Sequence, residues 1–329
     1  MRLVVPIRAL SLVPAVVLLL CLPAAAKSPL ETGQEQFESG RYQDAVATLR
    51  AAAAQQASDA RVEFWLARSY YELRDFDNAA ASAEQAVALD SGNSEYHLWL
   101  ARSYGRQAEH LGPFSAFGKA RKARDTWQKA IQLDAANLAA RRDYITFLLE
   151  APGIIGGGDD KALAQIEELA RRDPVQGHLA RAEYWQELKK PDLAAAEYRK
   201  ALELKPKDAS PYIEVADFHL QRNNPAALEE AVEAAARAHG RDPRLAFYRG
   251  AVRVLAGNRL GEAEQFLKTY ISTVPPRDDR PSHAGAHEWL GRLYEKMGRR
   301  DDAAREYRAA LTLEPKRKSA SEALKALGK

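Results

Sequence analysis

The hexapeptide WLARSY occupies residues 65–70 and recurs unchanged at residues 99–104. The two copies begin 34 residues apart, and a looser copy, WLGRLY, stands at residues 289–294. A fixed period of about 20 to 50 residues is typical of an array in which one small unit stacks on the next. A 34-residue period suits two antiparallel helices joined by a short turn. The repeat therefore predicts an array of helix pairs.

Small residues recur at fixed places when WLARSY is given places 6 to 11 of each unit. Place 8, where the first helix crosses its neighbour, holds Gly33, Ala67, Ala101, Ala182, Ala216, Ala251 and Gly291. Place 20, where the second helix approaches the first, holds Ala45, Ala79, Ala123, Ala194, Ala263 and Ala303. Place 27 holds Ala52, Ala86, Ala130, Ala201 and Ala310. Helices can approach closely at these places.

This pattern resembles the tetratricopeptide-repeat (TPR) family over nearly all of residues 27–317, most clearly in residues 284–317. The resemblance implies an all-α, right-handed α-solenoid of about eight helix-turn-helix units. We expect units near residues 26–59, 60–93, 94–137, 138–174, 175–208, 209–243, 244–277 and 284–317. An apolar stripe in residues 318–329, from Ala320 to Leu327, predicts a capping helix that covers the last open face.

Residues 1–26 differ from the rest of the chain. Arg2 and Arg8 precede an apolar stretch, Ala9–Leu22, that ends before the small residues 24–26. This pattern is typical of a secretory signal peptide cleaved near Ala26, so we expect a periplasmic or secreted protein. An uncleaved anchor is the alternative, although the apolar stretch is short for a membrane span. We expect no integral span after cleavage.

Cleavage also changes the chemistry available to the chain. It removes Cys21, the single cysteine, so the mature chain has no disulfide or thiol chemistry. It also removes Arg2 and Arg8, which leaves 46 basic residues against 45 acidic ones. This near balance argues against nucleic acid, which binds strongly basic surfaces.

In the TPR family the first helices line a concave groove, and places 2, 5, 9, 12 and 13 commonly face it. The candidate peptide-binding residues at or beside these places are Phe64, Trp65, Arg68, Tyr71, Leu98, Trp99, Arg102, Arg106 and Arg142. Tryptophan and arginine are frequent binding anchors, and guanidinium groups pair with carboxylates. These residues together predict a site for a peptide with apolar and acidic groups. Packing is the alternative, with the arginines paired to Glu63, Glu72 or Glu95.

The resemblance and the groove predict a non-catalytic interaction module of the bacterial cell envelope. It would bind a protein or peptide in the groove as an adaptor or assembly factor. A small-molecule carrier component of a transport system is the alternative. No enzyme site, cofactor or metal is predicted. His283 and His287 have ligand spacing but lack an evident third ligand. Residues 112–120 lack the spacing and hydroxyl of a phosphate loop.

Three segments interrupt the 34-residue pattern. About ten extra residues fall near Glu109–Lys119, and Ala151–Lys161 contains a proline and three consecutive glycines. We expect a loop at residues 151–161 because this composition does not sustain a helix. Residues 278–283 are expected to form a polar linker between the last two units.

Overall fold

The computed structural model describes residues 27–55 and 58–328. These residues form seventeen α-helices and one short 3-10 helix, with no strand among them. The helices are α1 (Pro29–Glu38), α2 (Tyr42–Gln55), α3 (Ala60–Glu72), α4 (Phe76–Leu89), α5 (Ser94–His110), α6 (Pro113–Leu133), α7 (Leu138–Glu150), α8 (Asp159–Arg172), α9 (Pro174–Glu187), α10 (Pro191–Glu203), α11 (Ser210–Gln221), α12 (Pro225–His239), α13 (Leu245–Ala256), α14 (Leu260–Thr273), α15 (His283–Lys296), α16 (Arg300–Leu313) and α17 (Lys318–Ala326). The predicted signal peptide, residues 1–26, lies outside the described residues.

The helices pack as consecutive antiparallel pairs, from α1 with α2 to α15 with α16. Each odd-numbered helix from α1 to α13 also contacts the next odd-numbered helix, so these first helices form one continuous face. The short helix α17 packs on α16. This arrangement confirms the predicted all-α solenoid.

Helix ends follow from local sequence. Ser28 caps α1 in a capping box with Glu31, while Asn93 and Asn137 cap α5 and α7 through their side chains. Residues with left-handed φ follow the first helix of six pairs: Gly40, Arg74, Lys189, Asn223, Gly257 and Gly298. Such a residue stops the helix and turns the chain back.

Close packing explains why place 8 must hold a small residue. A Cβ added at Gly33 would stand 2.5 Å from Leu49 Cγ, and one at Gly291 would stand 2.5 Å from the Tyr307 ring. The alanines at the same place are buried, including Ala101 at 0% exposure. The large side chain of the second helix therefore fills the space that the small residue leaves.

The two insertions have different structures. The extra residues near 109–119 lengthen α5 and α6 to 17 and 21 residues, with Gly112 between them, rather than forming a separate loop. Residues 151–158 do form a loop, in which Gly156 and Gly158 adopt positive φ. Arg124 donates to the carbonyl of Ile155 and holds this loop against α6. Asp159 begins α8 and is preceded by Gly158, so the helix has glycine rather than aspartate at its N-cap.

Residues 274–282, here called the connector, join α14 to α15 and were expected to include a polar linker. They instead form a folded turn in which Arg280 N donates to the Arg277 carbonyl. The connector reaches the first two helix pairs: Tyr42 Oη donates to the Pro276 carbonyl at 2.5 Å. The solenoid therefore coils far enough for the segment between its seventh and eighth pairs to meet its first.

No helix within residues 27–55 and 58–328 has the length and apolar character needed to cross a bilayer.

Candidate functional site

The concave face carries a ladder of polar contacts between successive first helices. Arg102 of α5 lies 2.6 Å from Asp143 of α7. Arg142 of α7 lies 3.4 Å from Glu183 of α9 and 3.0 Å from Glu214 of α11. These arginines pair across helices rather than with the glutamates considered from sequence. Much of the predicted cationic surface is thus neutralised by the solenoid's own acids.

A cavity of about 590 Å³ opens on this face between α3, α5, α6 and α7. One side is apolar, with Trp127 and Phe147 at 5.6 Å between ring centroids. Ala120 also lines the cavity. The connector residues Arg277, Asp278 and Asp279 line it as well. The cavity is therefore large enough for a few side chains and is bounded by the connector.

The position of Trp127 depends on a neighbouring glycine. A Cβ at Gly105 of α5 would stand 3.3 Å from the indole of Trp127, so the missing side chain lets the ring approach α5. Trp127 is 7% exposed, and its Nε1 has no acceptor among the described residues. A buried donor without an acceptor costs about 1–3 kcal/mol.

Arg68 lies in a cage of aromatic rings. Its Cζ is 4.4 Å from the Trp65 centroid and 5.0 Å from that of Trp99, with Phe37 and Phe64 also within 6 Å. Burial lowers the pKa of Arg68 below its usual value. No carboxylate in the described part of the chain forms an ion pair with Arg68, and its Nε has no partner there. The guanidinium is stabilised mainly by ring faces.

Two acids of the cavity, Glu72 and Glu150, are less acidic than exposed glutamates. Burial and the neighbouring Asp278 and Asp279 raise the pKa of Glu72 to about 7, although a bond from the Asp278 amide opposes the shift. Burial also raises the pKa of Glu150. Arg106 lies 2.8 Å from Glu109. The cavity thus combines guanidinium groups with at least one carboxylate that is partly protonated near neutral pH.

The structure brings together five of the nine candidate residues in this cavity: Arg68, Tyr71, Trp99, Arg102 and Arg106. The other four do not line it. Leu98 is 1% exposed in the hydrophobic core, and Arg142 belongs to the next step of the ladder. Phe64 and Trp65 pack edge to face at 5.7 Å as part of the Arg68 cage.

Several cavity residues were absent from the sequence prediction, including Trp127, Phe147 and the connector residues. Trp127 lies on α6, the second helix of its unit, and its packing against Gly105 of α5 positions the ring. Phe147 follows Arg142 by five residues on α7, a spacing that does not place two side chains on the same face of a helix. The connector offered no local signal for the cavity, because its contacts with the first two helix pairs join residues more than 200 positions apart.

The histidine pair considered as a metal site is engaged elsewhere. His283 Nε2 lies 2.7 Å from the Val274 carbonyl, and His287 Nδ1 lies 2.7 Å from Glu306. In the described ranges no group of three histidine, cysteine or acidic side chains has a metal-binding arrangement. The pair therefore holds the start of α15 in place.

Two family models of the tetratricopeptide repeat match this chain. One matches residues 30–94, 66–110 and 160–209, and the other matches residues 284–317. Together they span half of the sequence. The chain belongs to the tetratricopeptide-repeat family. Members of this family generally act as non-catalytic scaffolds that bind other proteins.

Several solved structures are similar to this chain. The Cut9–Hcn1 hetero-tetramer of APC/C is 14% identical, with a TM-score of 0.51, and the match covers 92% of this chain and 55% of that one. A thermophilic TPR protein of Thermus thermophilus is 22% identical over 58% of this chain and 97% of its own, with a TM-score of 0.48. One from Parabacteroides merdae is 16% identical over 82% and 99%, with a TM-score of 0.47. At these identities the likeness concerns the fold alone.

No curated protein matches the chain.

Proposed function

We propose that this TPR protein is a non-catalytic interaction module of the bacterial cell envelope, acting as an adaptor or assembly factor. It holds a segment of a partner protein on its concave face, with one or two partner side chains in the cavity. The envelope location rests on the signal-peptide pattern of residues 1–26. Cleavage near Ala26 would release the mature chain to the periplasm or the exterior.

The cavity is the observation that carries the proposal. It is lined by the apolar rings of Trp127 and Phe147 and by polar side chains that include Tyr71 and Arg106. Trp99 also lines it, with the guanidinium of Arg68 at 5.0 Å and that of Arg102 at 4.9 Å from its ring. A partner side chain that enters would bury apolar area against the rings and meet hydrogen-bond donors. Buried anchors of this kind dominate protein interfaces.

The test fills the cavity without touching the charge ladder. Ala120 lines the cavity and is half-buried, so Ala120→Phe occupies part of its volume. Ala81 is exposed on α4 and lies outside the cavity, so Ala81→Phe is the matched control. The mature protein and both variants are used to capture partners from the native envelope. Capture by wild type and Ala81→Phe but not by Ala120→Phe supports the proposal, whereas equal capture by all three contradicts it.

A small-molecule carrier is the second candidate, and one feature favours it. The cavity volume of about 590 Å³ falls within the range of small-molecule pockets, about 300–1,000 Å³. A compact ligand with an apolar body and a few polar groups would match the mixed lining of rings and guanidinium groups.

Thermal denaturation against a metabolite panel separates the two candidates. A ligand at 100 times its dissociation constant adds about 2.7 kcal/mol to the stability of the protein. A compound that stabilises wild type and Ala81→Phe but not Ala120→Phe would identify a carrier site. If no compound has this selective effect, the carrier hypothesis is unsupported.

A further inference from the structure

The connector contacts the first two helix pairs in the manner of a bound peptide. The Pro276 carbonyl accepts the hydrogen bond from Tyr42, and Asp278 N donates to Glu72 Oε2 at 2.9 Å. Tyr71 Oη lies 3.4 Å from the Asp278 carboxylate. A segment of another chain could make the same carbonyl, amide and carboxylate contacts.

Arg277 is largely buried in this contact. Its side chain is 11% exposed and lies 2.8 Å from the Glu38 carboxylate. Its Cζ lies 5.1 Å above the Phe37 ring. An aromatic face and a carboxylate together favour a planar guanidinium over the compact ammonium of lysine. The end of α1 therefore forms a side-chain site for arginine.

Pro275, two residues before Arg277, fits the surface through its shape. Pro275 packs on the turn after α1, where its Cβ lies 2.6 Å from the position of a Cβ at Gly40. Gly40 has a φ of +75°, so this turn both requires glycine and leaves room for the proline ring. Prolines fix φ and lower the entropy lost when an extended segment binds.

We propose that the connector occupies the site of a partner segment in which arginine follows proline, and that the partner displaces it. This proposal rests on the proposed function. It specifies the chemistry of the partner segment and identifies the connector as the element that the segment must displace. The connector borders the cavity through Arg277, Asp278 and Asp279, so its displacement also widens access to Tyr71 and Arg106. The tethered connector competes with any free segment at an effective concentration of about millimolar or above.

The test supplies the segment as a separate molecule. The probe is the synthetic peptide VPPRDDRPSH, the sequence of residues 274–283. The receptor is the full chain carrying Pro276→Gly, Arg277→Ser and Asp278→Gly, here called the open variant. It keeps the connector's length and the contacts of Val274 and Pro281 with His283 and Tyr270. Binding is followed by anisotropy of labelled peptide up to millimolar protein.

We expect saturable binding to the open variant and at least tenfold weaker binding to wild type, whose own connector fills the site. A peptide carrying Arg277→Glu should bind the open variant at least tenfold more weakly. Adding Glu38→Lys to the open variant should reverse this preference between the two peptides. The proposal is overturned if the open variant binds neither peptide, binds both alike, or binds no better than wild type.

A single substitution provides a second test in case the open variant does not fold. Arg277→Ala empties the arginine site and leaves the backbone of the connector intact. If circular dichroism shows that the open variant is unfolded, Arg277→Ala must bind the native peptide more tightly than wild type does. Equal affinity overturns the proposal. Peptide binding without envelope capture would contradict the proposed function alone, and capture without peptide binding would contradict only the connector's role.

Discussion

Arg277 lies 2.8 Å from the carboxylate of Glu38, a residue 239 positions earlier in the chain. This contact joins the connector to the first helix pair and converts an open stack into a closed coil. In an open solenoid each unit contacts only its neighbours, so distant units unfold with limited coupling. Here the first pair and the segment before the last pair share a contact. We expect this contact to stabilise both ends of the array against unfolding.

The first prediction concerns this closure. Arg277→Ala removes the bond to Glu38 and the contact with Phe37, which together we expect to contribute about 1–3 kcal/mol. Hydrogen exchange should increase in α1 to α4 as well as in α15, although these helices are far apart in sequence. Arg305→Ala, which removes an exposed cation that pairs on its own helix, is the control. Faster exchange in only one of the two regions would show that the contact does not couple them.

The second prediction concerns pH. The pKa of Glu72 is about 7 in the folded chain and close to 4.5 when unfolded. Its protonated form is therefore favoured by folding, so its contribution is complete below about pH 4.5 and is lost as the pH rises through 7. Glu72→Gln keeps an acceptor for the Asp278 amide and removes the charge. We expect the variant to melt at a higher temperature than wild type at pH 8 and near the wild-type temperature at pH 4.5.

The comparison of the two proteins isolates Glu72, because other groups also titrate in this range. Burial raises the pKa of Asp217 to about 6, for example, and this residue is present in both chains. A difference in melting temperature that is the same at both pH values would contradict the assignment to Glu72.

The third prediction tests the ladder. Arg102 and Asp143 are each about a quarter exposed, so Arg102→Met leaves a carboxylate largely out of water without its partner. We expect the free energy of unfolding, measured in urea, to fall by about 2 kcal/mol. Adding Asp143→Leu to the same chain should restore part of that free energy, with a coupling energy of about 1 kcal/mol or more between the two positions. Strict additivity of the two substitutions would show that the pair does not interact, and Arg171→Met, on an exposed helix face, should leave the unfolding midpoint unchanged.

The fourth prediction concerns the aromatic cage. Arg68→Ala removes the cation from between Trp65 and Trp99, and we expect a loss of about 1–2 kcal/mol together with a change in tryptophan fluorescence. Arg68→Lys should lose less stability than Arg68→Ala but remain less stable than wild type, because an ammonium does not stack on several rings. Full recovery by lysine would indicate that charge alone matters.

The fifth prediction uses two glycines with opposite environments. Gly291→Ala places a Cβ 2.5 Å from Tyr307, which should cost about 1–3 kcal/mol through overpacking. Gly118 lies in α6 with nothing within 4 Å of an added Cβ. Gly118→Ala should therefore stabilise the chain by about 0.5–1 kcal/mol through helix propensity. Urea unfolding measures both changes in stability. If the two substitutions changed stability in the same direction, the packing explanation would be contradicted.

The sequence by itself determined the helix pairs and their stacking. Place 8, represented by Gly33 and Ala101, reflects contacts within one unit, between residues close together in the chain. Such contacts are the same in each unit, so they leave a periodic pattern of small residues. The same logic placed Arg68, Tyr71, Trp99, Arg102 and Arg106 on one face of the array, since helical spacing fixes which side chains share a face.

Only the tertiary structure decided what those side chains contact. The choice of Asp143 for Arg102 depends on the offset between successive helices, and the cage around Arg68 depends on four rings from three helices. The connector depends on the curvature of the whole coil, because small rotations accumulate over seven helix pairs before Arg277 meets Glu38. A periodic pattern specifies the step between neighbouring units, but the sum of those steps determines where distant segments meet.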